Sequence, residues 1–164
     1  MSESEIVQIL LVEDTPEDLE LTLRALRKTN LINRIEVARD GAEAIDFIFC
    51  EGAHVGRKME DGPKLILLDL KLPKIDGLEV LREVKASPSC GSVPVIVLTS
   101  SGEQRDIAES YRLGVNSYVQ KPVDIAEFRS AIKALALYWL NVNRSPFSRD
   151  QRRVPPFSPP ASFE

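Results

Sequence analysis

The chain has 164 residues, of which 43% are hydrophobic and 28% are charged, and its net charge is -4. This size and composition predict one globular domain with a sizeable core, and the weak negative charge gives no reason to expect direct nucleic-acid binding. No apolar run approaches the roughly 18 residues of a membrane-spanning helix, and no signal peptide opens the sequence. We therefore expect a cytoplasmic protein that makes no membrane contact.

The cysteines and the only histidine exclude several kinds of catalytic centre. Cys50 and Cys90 have neither a metal-binding nor a redox-motif spacing, so we interpret both as free thiols. His54 is the single histidine and lies in a polar stretch, which excludes histidine-containing triads and multi-histidine metal sites. The chemistry left to this chain is that of carboxylates, hydroxyls and lysines.

Five predicted strands alternate with five predicted helices. Short apolar runs indicate strands at residues 6–12, 34–38, 64–69, 93–98 and 117–119. Helical spacing of apolar residues indicates helices that begin near Thr15, Asp40, Asp76, Glu103 and Asp124. Capping signals support four of these starts, with Thr15-Pro16 at the first and a D-x-x-E pattern at residues 40–43, 76–79 and 124–127. Residues 51–63 form a long polar loop.

This alternation predicts an α/β fold with a doubly wound, five-stranded parallel sheet, strand order 2-1-3-4-5 and helices on both faces. Such sheets bind ligands beyond the carboxyl ends of their strands, at the switch point between the first and third strands. Glu13 and Asp14 end the first strand, and Asp69 ends the third. We therefore expect three acids from distant parts of the sequence to converge on one crevice.

Three neighbouring carboxylates need a counter-charge, because one like-charged pair at ~4 Å costs about 4 kcal/mol at an effective dielectric near 20. A site made only of oxygen ligands suits Mg²⁺, which would also neutralise a phosphoryl group during its transfer to an acid. Thr99 follows the fourth strand and Lys121 the fifth, so a hydroxyl and a cation also face the crevice. Each residue alone could be a turn, cap or solvated surface residue, but their combination after four strands favours a shared phosphoryl site.

Four motifs resemble the receiver domain of two-component response regulators, which has a flavodoxin-like fold. They are V-E-D at 12–14, L-L-D-L-K-L-P-K-I-D-G at 67–77, L-T-S-S at 98–101 and Y-V-Q-K-P at 118–122. The resemblance covers about residues 5–140 and implies that Asp69 accepts a phosphoryl group from a sensor histidine kinase. It implies Mg²⁺ as the cofactor, held by the carboxylates of Glu13, Asp14 and Asp69 and the backbone carbonyl of Lys71.

The same resemblance assigns roles to residues around the acceptor. Thr99 and Lys121 would contact the phosphoryl oxygens, and the Lys121–Pro122 peptide bond would be cis. Tyr118 matches the aromatic switch position, although a half-buried tyrosine of an edge strand is an equally good interpretation. Lys71 and Ser101 border the path of the attacking water and would tune dephosphorylation, with a solvated lysine as the alternative for Lys71. Apart from its own phosphorylation and dephosphorylation, the protein would catalyse no reaction.

A narrower resemblance concerns the small response regulators paired with cyanobacterial phytochromes. It rests on the 51–63 loop, on G-V-N-S-Y-V-Q-K-P at 114–122 and on L-Y-W-L at 137–140. It implies a phytochrome-like, light-sensing histidine kinase as the phosphoryl donor. It also implies homodimerisation through the fourth helix, the fifth strand and the fifth helix.

The last helix carries two apolar stripes. The predicted core stripe consists of Ile125, Phe128, Ile132, Leu135 and Trp139. Ala134, Leu137 and Tyr138 form a second stripe that the sheet cannot also cover, and such a patch marks a partner surface. A homodimer through this stripe is the leading interpretation, and a C-terminal segment folded over it is the alternative.

The composition changes near the end of the chain. We assign residues 1–143 to the receiver domain and residues 144–164 to a tail or arm rich in proline, serine and arginine, which cannot build an output domain. Two other functions stay open: a phosphate sink or non-phosphorylated adaptor, and an aspartate-nucleophile phosphatase of the haloacid dehalogenase kind. The phosphatase class has a second acid at the position occupied here by Lys71, which argues against it.

Overall fold

The computed structural model describes residues 8–30 and 34–144, and its centre is a five-stranded parallel sheet. The strands are β1 (Ile9–Val12), β2 (Ile35–Ala38), β3 (Leu65–Leu68), β4 (Val95–Thr99) and β5 (Ser117–Gln120). They pair in the order β2-β1-β3-β4-β5, with every pairing parallel. The predicted doubly wound sheet is therefore confirmed.

Helices cover both faces of this sheet. They are α1 (Pro16–Arg27), α2 (Gly41–Ile48), α3 (Gly77–Ala86), α4 (Gln104–Arg112) and α5 (Ile125–Ala136), and a π-helical segment (Leu137–Val142) continues α5. Neighbouring residues of a strand point to opposite faces. Leu10 of β1 packs into one apolar core with residues of α2 and α3, and Leu11 packs into the other with residues of α1 and α5. No helix in the described ranges has the length and apolar character that crossing a bilayer requires.

The register of the central strands aligns their carboxyl ends. Val12 of β1 lies opposite Leu68 of β3, and the Asp69 N–H donates to the carbonyl of Val12 at 3.0 Å. Because every residue of β1, β3 and β4 is buried, these strands have continuous apolar sequences, as expected where helices cover both faces. The chain first becomes polar at the strand ends, so the acids after β1 and β3 reach the same edge of the sheet.

All four predicted cap residues are the N-cap residues of their helices, and two of them make a side-chain cap hydrogen bond. Asp40 accepts a hydrogen bond from the Glu43 N–H at 2.8 Å, and Asp124 accepts one from the Glu127 N–H at 2.9 Å. Thr15 and Asp76 also occupy the predicted N-cap positions of α1 and α3, and Pro16 follows Thr15 as predicted, but neither side chain makes a cap hydrogen bond. At both positions another contact uses the local backbone: the Thr15 N–H donates to a Glu13 carboxylate oxygen, and the Gly77 N–H donates to the Leu70 carbonyl.

The core stripe of α5 differs from its prediction at one residue. Phe128, Ile132 and Ala136 are buried at a spacing of four, whereas Ile125 is 52% exposed. Ile125 lies at the first residue of the helix, off this i, i+4 row, so its assignment to the core is wrong. Leu135 and Trp139 are half-buried against the same core, as predicted. The predicted 51–63 loop contains two short 3₁₀ turns, Gly52–His54 and Met59–Asp61.

Candidate functional site

The three predicted acids meet at the carboxyl ends of β1 and β3. Glu13 and Asp69 are buried, with 2% and 7% of their surface exposed, and Asp14 is half-buried beside them. One carboxylate oxygen of each residue lies within 4.8 Å of the other two. The convergence expected from strand order is therefore present in the structure. We call this group of three residues the acidic pocket.

Lys121 inserts its ammonium group into the acidic pocket from the end of β5. Its Nζ lies 2.6 Å from Glu13 Oε2 and 3.0 Å from Asp69 Oδ2, and its side chain is 7% exposed. The Lys121 N–H donates to the Thr99 carbonyl at 2.7 Å, which fixes the start of the side chain. Lys121 therefore joins the ends of three strands through one buried cation.

A fourth acid, Asp18, is part of the same cluster and was missing from the predicted site. Its Oδ2 lies 2.8 Å from Lys121 Nζ, and it belongs to the first turn of α1. An acid in the first turn of a helix interacts favourably with the helix dipole. The sequence alone therefore suggests only this local role for Asp18. The available signal was its position four residues after Asp14, in the first turn of α1.

Burial and charge set the protonation of the pocket. Desolvation raises the pKa of Glu13 to about 7, since the hydrogen bond from Lys121 only partly offsets burial and the negative charge of Asp69 adds to it. Burial alone would lower the pKa of Lys121, but the hydrogen bonds to Asp18 and Glu13 and the charge of Asp69 raise it above its ordinary value. Three carboxylates thus share one ammonium group, and the pocket keeps an excess of negative charge.

The donor set fits a divalent cation. The Asp14 carboxylate makes neither a hydrogen bond nor an ion pair within residues 8–30 and 34–144, and the pocket offers carboxylate oxygens from three residues. Hard divalent cations prefer such ligands, so this acidic cluster could bind a divalent metal ion. The predicted contribution of the Lys71 carbonyl stays a prediction.

The loop after β3 is held by close backbone packing. The Lys71 N–H donates to Asp69 Oδ1 at 3.2 Å. A Cβ atom on Gly77, the first residue of α3, would lie 2.3 Å from the Asp69 carbonyl oxygen and 2.6 Å from Leu70 Cα. Glycine at this position therefore allows α3 to begin directly against the backbone that carries the acceptor candidate.

Thr99 and Tyr118 lie on the β4 side of the pocket. Thr99 is fully buried at the end of β4, and its hydroxyl oxygen accepts a hydrogen bond from the Ser101 N–H at 3.4 Å. The Tyr118 hydroxyl donates to the Ser101 carbonyl at 2.8 Å, and burial raises the pKa of Tyr118. Tyr118 is half-buried on the edge strand β5, so both interpretations of this residue stay open.

The two predicted tuning residues contact a second acid that is absent from the predicted site. Lys71 Nζ lies 3.8 Å from Asp106 Oδ2, and the Ser101 hydroxyl donates to the same oxygen at 2.6 Å. Asp106 belongs to the first turn of α4 and is 6% exposed. As with Asp18, its position near the start of a helix suggests from sequence only an interaction with the helix dipole.

The Lys121–Pro122 peptide bond is trans, since the described residues contain no cis peptide, and the predicted cis bond is wrong. The trans form is the intrinsically preferred one, by about 0.5–1 kcal/mol for a bond preceding proline. The Lys121 ammonium reaches Glu13 and Asp69 with this bond in the trans form.

The candidate interface residues lie on the outer face of α5 and its extension. Ala134 is exposed, and Leu137 and Tyr138 are 46% and 51% exposed. The Tyr138 ring packs edge-on against Trp139, with 5.0 Å between the ring centroids. The predicted second apolar stripe is therefore solvent-facing in the single chain.

The fold and the acidic pocket together define a class of protein. Acids after the first and third strands and a lysine after the fifth, in a sheet of order 2-1-3-4-5, form the arrangement implied by the receiver resemblance. The family model of the response regulator receiver domain matches residues 9–133. The chain belongs to this family, whose members are in general signalling modules rather than enzymes with an external substrate.

Two proteins of this family are similar to the chain over most of its length. The chain is 41% identical over 139 residues to the probable methanogenesis regulatory protein FilR2 of Methanothrix harundinacea, covering 84% of this chain and 86% of that protein. It is 37% identical over 132 residues to the response regulator Rcp1 of Synechocystis sp., covering 80% and 88%.

Solved structures agree with the sequence comparison. The phosphorylated cyanobacterial phytochrome response regulator RcpA has a TM-score of 0.80 and 37% identity, covering 85% of this chain and 98% of that one. The Mn²⁺-bound form of Rcp1 has a TM-score of 0.79 and 36% identity, covering 85% and 99%. The bacteriophytochrome response regulator AtBRR is 51% identical, with a TM-score of 0.67 and coverage of 85% and 99%. This chain is therefore a receiver domain homologous to phytochrome response regulators.

Proposed function

We propose that this protein is a response regulator of a two-component phosphorelay that accepts a phosphoryl group on Asp69 from a sensor histidine kinase. The observation that carries the proposal is the position of the Asp69 carboxylate. It lies at the end of a buried strand, 3.0 Å from the Lys121 ammonium and within 4.8 Å of two further acids. A carboxylate in this setting is positioned as a nucleophile beside a fixed cation.

In the transfer step an Asp69 carboxylate oxygen attacks the phosphorus of a phosphohistidine. The new O–P bond forms as the N–P bond breaks, and the imidazole nitrogen keeps the electron pair of the broken bond. Lys121, already inside the pocket, pairs with an oxygen of the transferred group, and the Thr99 hydroxyl donates to another. Both residues therefore act by orienting the group and stabilising its charge.

Magnesium fits the excess negative charge of the acidic pocket. Glu13, Asp14 and Asp69 would hold the ion with their carboxylates, together with the Lys71 backbone carbonyl. When bound, Mg²⁺ neutralises charge on the phosphoryl oxygens. The Mn²⁺-bound form of Rcp1 supports a divalent ion in this family, and the hard oxygen donors favour Mg²⁺.

The output of the switch would be a change on the face formed by α4, β5 and α5. Tyr118 already links β5 to the loop after β4 through the Ser101 carbonyl. Thr99 and Lys121 can form charge-assisted hydrogen bonds to a phosphoryl group that are absent without it, which biases a two-state equilibrium. Tyr118 would report the position of this loop to the face.

The homology to phytochrome response regulators supports a phytochrome-type light sensor as the kinase. RcpA and AtBRR are named for phytochrome signalling, and AtBRR shares half of its aligned residues with this chain. FilR2 shows that a relative of similar identity can carry a methanogenesis name. Direct assay with a purified phytochrome kinase is therefore the test of the donor.

We also propose a homodimer through the exposed stripe of Ala134, Leu137 and Tyr138. The stripe adjoins a groove lined by residues of β5, α5 and the π-helical extension of α5, including Val119 and Trp139, and apolar surface of this kind stabilises association. Sedimentation velocity should give a dimer for the natural chain and a monomer for Leu137→Glu. Val55→Glu, at a 77% exposed loop position, is the matched control and should remain dimeric; a monomeric natural chain would contradict the dimer.

Residues 145–164 lie outside the described residues. A receiver domain ending at residue 143, a tail without an output domain, action without direct nucleic-acid binding and a cytoplasmic location stay predictions. A phosphate sink would use the same acceptor chemistry, so the phosphorylation assay does not separate it from a signalling role.

Phosphotransfer to Asp69 is the experiment that tests the proposed function. The protein is incubated with Mg²⁺ and either acetyl phosphate or an autophosphorylated histidine kinase, and intact mass reports the modification. We expect one phosphoryl group on the natural chain and none on Asp69→Asn. Asp61→Asn, a half-buried aspartate of the 51–63 loop, is the control and should be phosphorylated normally. A protein that is never phosphorylated, or an Asp69→Asn variant that still is, would refute the assignment.

A further inference from the structure

Asp106 is a buried acid to which the phosphoryl-transfer chemistry gives no role. It lies in the first turn of α4, and its side chain is 8% exposed. A buried carboxylate is costly unless it is paired and hydrogen-bonded. Both side-chain partners of Asp106 come from the two loops that flank the acceptor, rather than from α4 itself.

These partners bind the same oxygen. The Ser101 hydroxyl donates to Asp106 Oδ2 at 2.6 Å, and Lys71 Nζ lies 3.8 Å from it. The Lys71 side chain is 64% exposed, so without an anchor its ammonium would be free to move in water. Asp106 therefore bridges the loop after β3 and the loop after β4.

Each bridged residue is also tied to a group that handles the phosphate. The Lys71 N–H donates to Asp69 Oδ1 at 3.2 Å, and the Ser101 N–H donates to Thr99 Oγ1 at 3.4 Å. Since β3 and β4 are paired neighbours, the contacts form a closed ring from Asp69 through Lys71, Asp106 and Ser101 to Thr99. Lys71 and Ser101 are the more solvent-exposed members of this ring.

We propose that Asp106 is a positioning residue that holds the Lys71 and Ser101 side chains together across the outer side of the acceptor and thereby prolongs the phosphorylated state. The inference rests on the proposed function, because it concerns the loss of the Asp69 phosphoryl group. In that loss a water oxygen attacks phosphorus, the bond from Asp69 to phosphorus breaks, and its electron pair returns to the carboxylate. The water proton leaves with the phosphate or passes to solvent.

In-line attack requires a water molecule opposite the departing carboxylate. Lys71 and Ser101, two residues beyond the acceptor and two beyond Thr99, stand at the solvent edge of the pocket, and the bridge restrains both. Releasing them opens this approach to water. Loss of Asp106 should therefore shorten the phosphorylated state, and it should do so through Lys71.

A purely structural role in α4 is the competing explanation. The Ser110 hydroxyl donates to the Asp106 carbonyl at 2.7 Å, and the Glu103 N–H donates to Ser101 Oγ at 3.3 Å. Ser110 is fully buried in the same helix, and its hydroxyl hydrogen bond goes to the Asp106 backbone rather than to Lys71 or Ser101. Ser110→Ala is therefore a matched control that removes a buried hydrogen bond within α4 and leaves the Asp106 side-chain partners in place.

The test is the rate of phosphoryl loss from the full chain after phosphorylation with acetyl phosphate and Mg²⁺ and removal of the donor. We expect Asp106→Asn and Lys71→Ala each to accelerate the loss about twofold to fivefold, the scale of one partly exposed charged contact in an activation barrier. The double variant should be no faster than the faster single variant, because both changes open one bridge. Ser110→Ala should keep the natural rate even if its melting temperature falls.

An unchanged rate in Asp106→Asn, or accelerations that multiply in the double variant, would overturn the bridge. If Asp106→Asn does not fold, Lys71→Ala and Ser101→Ala carry the same non-additivity test. A chain that is phosphorylated on Asp69 with an insensitive lifetime refutes the bridge alone. A chain that is not phosphorylated on Asp69 refutes the proposed function and the bridge together.

Discussion

Replacing Asp14 with asparagine should stabilise the metal-free protein, although it removes a residue of the functional site. Asp14 lies within 4.8 Å of Glu13 and Asp69, and it makes no ion pair in the described part of the chain. Two like charges at this distance repel by about 3.5 kcal/mol at an effective dielectric of 20. The Lys121 ammonium offsets about one of the two neighbouring charges, since it contacts both Glu13 and Asp69.

One uncompensated repulsion therefore remains, and the partial exposure of Asp14 screens it further. We expect Asp14→Asn to raise the free energy of unfolding by about 1–2 kcal/mol at pH 8 in the presence of a chelator, after discounting for solvent. For a chain of this size that corresponds to an increase of about 2–8 °C in melting temperature. The isosteric amide keeps the volume of the side chain, so packing contributes little to the difference.

Magnesium should reverse the comparison. A ligand that binds only the folded state adds about 2.7 kcal/mol at 100 times its dissociation constant, and the natural chain should gain this while Asp14→Asn gains much less. Urea denaturation with and without Mg²⁺ measures both effects. Glu83→Gln, an exposed carboxylate-to-amide change on α3, is the matched control and should change neither value. An Asp14→Asn variant that is less stable without metal, or that gains as much from Mg²⁺ as the natural chain, would refute the electrostatic reasoning.

Three further predictions concern the same pocket. Because the pKa of Glu13 is raised to about 7, a proton competes with Mg²⁺ below pH 7; titration calorimetry should show the affinity falling up to about tenfold per pH unit from 7 towards 5, and Glu13→Gln should remove that dependence. Asp18→Asn should tighten beryllofluoride binding about threefold to tenfold, because Lys121 then breaks one fewer charged contact when it pairs with the bound group. Weaker binding would contradict this. Gly77→Ala should destabilise the fold by about 2 kcal/mol or more and slow phosphorylation, since its Cβ would meet the Asp69 carbonyl oxygen at 2.3 Å. Gly56→Ala, whose Cβ meets nothing within 4 Å, is the control, and equal losses in both variants would count against the packing explanation.

The sequence was sufficient to predict the sheet and the convergence of the acids. Four consecutive apolar residues directly before Asp69 indicate a central parallel strand. Strict alternation of strand and helix then limits the possible topologies to very few. Once strand order is known, the ends of β1 and β3 must lie side by side. Glu13, Asp14 and Asp69 then converge because chain connectivity alone places them.

Asp18 and Asp106 could not be found in the same way. Both lie in the first turn of a helix, where an acid has a sufficient local explanation through the helix dipole. Whether such an acid points outward or into a site depends on how the helix is rotated against the sheet, which is a property of tertiary packing. Asp76 is likewise the predicted N-cap of α3 but makes no side-chain cap hydrogen bond, because the sequence pattern locates a helix start without giving the orientation of the side chain there.

A crystal structure of the protein with Mg²⁺ and beryllofluoride would show directly whether Asp69 is the phosphoryl acceptor. We expect beryllium bonded to an Asp69 carboxylate oxygen, fluorine atoms within hydrogen-bond distance of Lys121 Nζ and Thr99 Oγ1, and the metal ion beside the carboxylates of Asp14 and Asp69. A complex in which Asp69 remains unmodified, or in which Lys121 stays on Glu13 and Asp18 without touching the bound group, would contradict this assignment.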